Sequence, residues 1–206
     1  MTLSLYFSPG ACSLSPHIAL READLSFKLV QVDLKTKTTA DGDSYLNINP
    51  KGYVPALRLL DGEVLTEGAL IVQYIADRRP ELNLAPPAGT RERRRFQEWL
   101  HFIATELQKG LSAINHPNAN PEFKRALRVK FDTRLAYLTE ALEDRPYLLG
   151  RTFTVADGYA YYVLRSLRRN DRETFESNAT LKAYFERVES RPSVQSALLA
   201  EGLRHE

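Results

Sequence analysis

A single cysteine, Cys12, stands among the 206 residues, so neither an internal disulfide framework nor a cysteine-rich zinc site is available. A lone reduced thiol fits a reducing compartment, and a cytoplasmic location is expected. Charge of one sign is also scarce. Lysine and arginine number 28 against 26 aspartates and glutamates, and the resulting +2 is too weak to call for a nucleic acid or an acidic membrane as partner. No apolar run approaches the roughly 20 residues that a membrane helix needs. No basic stretch followed by a long apolar one opens the chain, so no signal peptide is expected. Internal repeats and low-complexity segments are missing as well. At 43% hydrophobic and 26% charged, the chain has enough apolar content and length for one large domain or two small ones.

The cysteine lies in Tyr6-Phe7-Ser8-Pro9-Gly10-Ala11-Cys12-Ser13-Leu14-Ser15-Pro16-His17. Leu3 to Phe7 reads as a short strand, Pro9-Gly10 as a turn, and Ser13 to Pro16 as a helix start ahead of Ile18-Ala19-Leu20. Cys12 is therefore expected between a first strand and the N-terminus of a first helix. Free N–H groups and the positive end of the helix dipole favour a thiolate there, in the cysteine itself or in a bound thiol. A small buried residue in a tight turn is the alternative. Phe27 to Leu34 reads as a second strand, and Lys35 to Asn49 as a polar loop. Asp61-Gly62 marks a hairpin between Ala56–Leu60 and Glu63–Thr66, and Ala69 to Arg79 reads as a helix stopped by Pro80. The pattern is a mixed α/β domain over residues 1–80, with a proline-rich linker at 81–89.

Residues 90–206 read as helical. Phe96, Trp99, Leu100, Ile103 and Leu107 form one apolar stripe, and Leu127, Phe131, Leu135, Leu138 and Leu142 another. Thr154-Val155-Ala156-Asp157 has the spacing of a capping box. The arginines at 91–95 and at 165, 168 and 169 read as solvated helix faces.

Six segments in order resemble the cytosolic glutathione S-transferases, and their bacterial beta class in particular. They are Ser8-Pro9-Gly10-Ala11-Cys12-Ser13-Leu14-Ser15-Pro16-His17, Asn49-Pro50-Lys51-Gly52, Val54-Pro55-Ala56-Leu57, Leu65-Thr66-Glu67-Gly68, Glu98-Trp99-Leu100 and Phe153-Thr154-Val155-Ala156-Asp157. The resemblance implies an N-terminal thioredoxin-like domain followed by an all-helical C-terminal domain, usually in a homodimer. It implies transfer of the glutathione thiolate to a small electrophilic or hydrophobic acceptor. Glutathione serves as co-substrate, with no cofactor and no metal.

By that resemblance Cys12 and Ser13 stand at the sulfur as catalytic residues. Val54, before a cis Pro55, pairs with the ligand's cysteinyl backbone. Glu67 takes its ammonium, the Gly68 end of a helix its γ-glutamyl carboxylate, and Lys37 its glycyl carboxylate. His101 and Lys109 belong to the binding set. Tyr6 and His17 are expected to be mainly structural. Three departures stand out: Gln108 replaces a common histidine, His101 a common asparagine, and Arg165-Ser166 an aromatic wall. Gln108 cannot shuttle a proton near neutral pH. Two other activities therefore stay open, namely glutaredoxin-like thiol–disulfide exchange through Cys12 and non-catalytic binding of glutathione or another ligand.

Overall fold

The computed structural model describes residues 2–203. They fold into two compact units. One runs to Ala85 and also takes in the chain from Ser190 onward, and the other is Pro86–Glu189.

The first unit is built on a mixed sheet. β1 (Leu3–Phe7) lies parallel to β2 (Phe27–Asp33), with Leu3 opposite Phe27 and Phe7 opposite Gln31. The crossover between them is α1 (Leu14–Glu22), as a parallel pair requires. β3 (Thr38–Thr39) adds antiparallel to β2 at one edge. β4 (Ala56–Arg58) adds antiparallel to β1, and β5 (Val64–Thr66) to β4, giving the order β3-β2-β1-β4-β5. The hairpin expected at Asp61-Gly62 forms, with Leu59 N donating to Glu63 O at 2.8 Å and Gly62 at φ 95°. α2 (Gly68–Asp77) follows, buries Ile71, Val72, Ile75 and Ala76, and packs on α1.

Alternation along the strands sends Tyr6, Val32 and Ala56 into one buried cluster with Tyr45 and Val54. Tyr6 is 5.7 Å from the Tyr45 ring, and burial raises its phenol pKa above the ordinary value. That environment agrees with a structural role for Tyr6.

The second unit is helical: α3 (Arg91–Phe102), α4 (Lys109–Ile114), α5 (Pro121–Leu142), α6 (Val155–Asn170), α7 (Arg172–Glu176) and α8 (Ala179–Glu189). A π-helical stretch, Ile103–Gln108, joins α3 to α4 without a break. The stripe from Phe96 to Leu107 is buried at Phe96, Leu100, Ile103 and Leu107.

The last helix of the expected helical half, 90–206, groups with the first unit. α9 (Pro192–Ala200) packs on α1 and belongs to the first unit. It buries Val194, Ala197 and Leu198 there, and Arg191 grips the Glu22 carboxylate with Nε at 2.6 Å and Nη2 at 2.8 Å.

Candidate active site

Residues 8–13 turn the chain from β1 into α1. Gly10 takes φ 68°, a conformation glycine adopts without steric cost, and Ala11 N donates to Ser8 O at 3.0 Å. Cys12 is half-buried at the head of the helix, and its Sγ lies 3.1 Å from Val54 O. The Val54–Pro55 peptide is cis, as the resemblance implied. Ser13 is fully buried. Its hydroxyl accepts from Ser8 N and donates to Ser8 O, both at 3.2 Å. A hydroxyl has one proton. Here that proton is committed to the loop, so the geometry gives Ser13 the work of shaping the Cys12 turn.

A four-residue run, Lys51 to Val54, touches most of the other expected residues of this unit. Asn49, nearly buried, holds its base. The Asn49 amide donates to Tyr53 O at 2.7 Å and accepts from Lys51 N at 3.1 Å, while Tyr45 Oη donates to the same Tyr53 carbonyl at 2.9 Å. From this frame Val54 meets Cys12. Gly52 O accepts from Lys37 Nζ at 2.7 Å, and Lys37 itself has φ 58°. Glu67 is exposed and caps the start of α2 at φ 69°, ψ 112°, which is uncommon for a side-chain-bearing residue. Its Oε1 accepts from Tyr53 Oη at 2.8 Å and Lys51 Nζ at 3.2 Å. The phenol bonded to that carboxylate has its pKa raised, chiefly because ionising it would lose the bond.

Behind the cysteine turn lies a buried polar chain. Glu201, just past α9, accepts from Gly10 N through Oε2 at 2.9 Å and meets His17 Nδ1 through Oε1 at 2.8 Å. Neither side chain is exposed. Arg21 Nε donates to His17 Nε2 at 2.9 Å, so the imidazole is neutral with its proton on Nδ1, directed at Glu201. The alternation carboxylate, imidazole, guanidinium compensates the buried charge. It also ties a residue two places before Cys12 to one 191 positions away. Glu201→Gln keeps an acceptor for Gly10 but loses the charge, and should lower stability by about 1–2 kcal/mol. Urea unfolding of the variant checks this, and an unchanged midpoint would count against it.

In the helical unit, His101 is exposed on α3, with Nδ1 2.7 Å from Gln97 O, and Lys109 is exposed at the start of α4. Gln108, at the end of the π stretch, accepts a hydrogen bond from Tyr159 Oη. The departures Gln108 and Ser166 line one cleft of about 320 Å³, together with Leu111, His116, Tyr162 and Arg169. Arg165 itself is buried and stands apart from the cleft lining.

Sequence reasoning missed Lys51, Tyr53, Asn49 and Glu201. The Asn49-Pro50-Lys51-Gly52 turn was visible, but which carboxylate its lysine would meet depends on the hairpin bringing Glu67 back beside it.

The mixed sheet, the crossover helix and the cis proline facing a helix-head cysteine define a thioredoxin-like domain, here joined to a helical unit. Residues 10–78 match the glutathione S-transferase N-terminal domain family, and residues 102–192 the glutathione S-transferase C-terminal domain family. Glutathione S-transferase GstA of Escherichia coli O157:H7 is 43% identical over 98% of this chain and 100% of its own length. A bacterial beta-class glutathione S-transferase of Sphingomonas chungbukensis superposes with a TM-score of 0.92 at 42% identity, over 98% of this chain and all of that one. A sphingomonad glutathione S-transferase complexed with glutathione gives 0.92 at 40% identity with the same coverage. The chain belongs to the glutathione S-transferase family, close to its bacterial beta class, and is a glutathione transferase enzyme. Among the described residues no helix is long and apolar enough to cross a membrane.

Proposed function

We propose that glutathione docks along the Lys51–Val54 run with its sulfur beside Cys12. The observation that carries this reading is the Cys12 Sγ to Val54 O contact of 3.1 Å next to the cis proline. A peptide paired with the backbone of Val54 has its cysteinyl side chain at the head of α1. Pairing of this kind is strand addition, with the backbone supplying affinity and the ends supplying specificity. Glu67 takes the ammonium, the Gly68 N–H end of α2 the γ-glutamyl carboxylate, and Lys37 the glycyl carboxylate. Pro55 shapes the pairing segment and Ser13 holds the turn. Holding the thiolate at fixed geometry lowers the barrier by proximity, and activation of the thiol supplies the nucleophile. The acceptor is a small electrophilic or hydrophobic molecule. The protein works as a homodimer in the cytoplasm.

Titration calorimetry tests the docking. Wild type should bind glutathione, and Glu67→Ala should weaken binding by about 1–2 kcal/mol, a charged hydrogen bond discounted for the exposure of this carboxylate. Equal affinity in the two proteins would remove Glu67 from the site.

A further inference from the structure

We infer that Lys51 is a glutathione-recognition residue, binding the γ-glutamyl carboxylate while Glu67 beside it binds the ammonium. The inference rests on the docking proposed above and deepens it. Lys51 Nζ is 3.2 Å from Glu67 Oε1 and 2.9 Å from Thr66 Oγ1, so a cation and an anion stand side by side at the end of β5. The γ-glutamyl end of glutathione carries the same two charges on one carbon. Laid against the pair in the opposite sense, it makes a ring of four alternating charges, and each group keeps a partner of opposite sign.

Three features favour this use of Lys51 over a role in the fold. First, the two side chains are 48% and 59% exposed, and an ion pair so open to water adds little to stability. The same exposure puts both groups within reach of a solute. Second, Gly68 has no side chain, so the start of α2 offers a carboxylate only backbone N–H groups, and Lys51 supplies the side-chain charge next to them. Third, both members are held from behind. Lys51 N donates to Asn49 Oδ1 at 3.1 Å, and Tyr53 Oη donates to Glu67 Oε1 at 2.8 Å. The pair is therefore presented by the same run that carries Val54.

The test pairs a protein variant with a ligand that lacks one charge. Binding of glutathione, of γ-aminobutyryl-cysteinyl-glycine (no α-carboxylate) and of glutaryl-cysteinyl-glycine (no ammonium) is measured by calorimetry on wild type, Lys51→Met and Lys51→Arg. Lys51→Met should weaken glutathione about fivefold or more and leave the carboxylate-free peptide within about twofold of wild type, because the partner of Lys51 is already missing from that ligand. The ammonium-free peptide should lose affinity in Lys51→Met as glutathione does. Lys51→Arg should recover most of the loss. An unchanged glutathione affinity in Lys51→Met, or an equal loss for glutathione and the carboxylate-free peptide, would overturn the inference while leaving the docking intact. Wild type that fails to bind glutathione would overturn both.

Discussion

Cys12→Ala should abolish thiol–disulfide exchange and leave glutathione conjugation within about tenfold of wild type. The two outcomes separate because the two reactions use different sulfurs. In conjugation the nucleophile is the thiolate of glutathione. Cys12 can give that thiolate at most one S–H hydrogen bond. Bonds to a charged group are worth about 1.5–3 kcal/mol, and a thiol is a weak donor, which puts this one near the low end, or roughly tenfold in rate. In exchange a protein thiolate must attack a disulfide sulfur, form a mixed disulfide and release a thiol, after which a free glutathione resolves the adduct. Cys12 is the chain's one cysteine, so no other residue can take that part. The residue is also only half-buried, and its Sγ lies 3.1 Å from Val54 O beside the proposed docking run. Both assays on one purified variant decide the matter. Conjugation lost with exchange retained would invert the assignment. Loss of both would be read with the glutathione affinity of the variant, since native affinity would then make Cys12 essential to both reactions.

Local signals in the sequence were enough for most elements. The Asp61-Gly62 turn, the run Leu3 to Phe7 and the three-and-four spacing of the helix stripes each act over a few residues, and each formed near its expected place. β3 could not be read this way, since Thr38–Thr39 is too short to show alternation and exists by pairing with Val32 and Asp33. The π stretch is also silent in sequence, because one extra residue in a turn leaves the apolar spacing nearly unchanged. Longer-range facts were lost for a different reason. α9 has an ordinary apolar face, and nothing in it says that α1 is the surface it will cover. Glu201 is one of many glutamates until the fold brings Gly10 and His17 to its two oxygens. Cys12, Val54 and Glu67 were singled out because the residue types and their order carry the family's pattern. Lys51 and Tyr53 were not, because their meaning lies in the side chain they meet.

Asp157→Ala should cost about 3–5 kcal/mol of stability, since several buried donors lose their acceptor at once and each one left unpaired costs about 1–3 kcal/mol. The Thr154–Asp157 spacing pointed to a helix cap, for which truncation costs about 0.5–2 kcal/mol. The structure calls for more. Asp157 is fully buried, and its carboxylate gathers four donors from three places in the helical unit. Oδ2 accepts from Thr154 N at 2.8 Å and Thr154 Oγ1 at 3.1 Å, and Oδ1 accepts from Leu148 N at 2.8 Å and Tyr184 Oη at 2.9 Å. Burial pushes the carboxyl pKa up, and the four donors oppose that rise because each bonds better to the charged form. Removing the side chain strands two backbone N–H groups and a tyrosine hydroxyl that have no water to turn to. Asp157→Asn should also be destabilising, since its amide nitrogen must face one pair of those donors. Because Asp157 joins the loop at Leu148, the start of α6 and Tyr184 on α8, its loss loosens the helical unit as a whole. Chemical denaturation of both variants measures the cost. Conjugation assayed well below the melting temperature, per folded molecule, should stay near wild type. A variant with native stability and no activity would make Asp157 a participant in the chemistry and contradict the structural role.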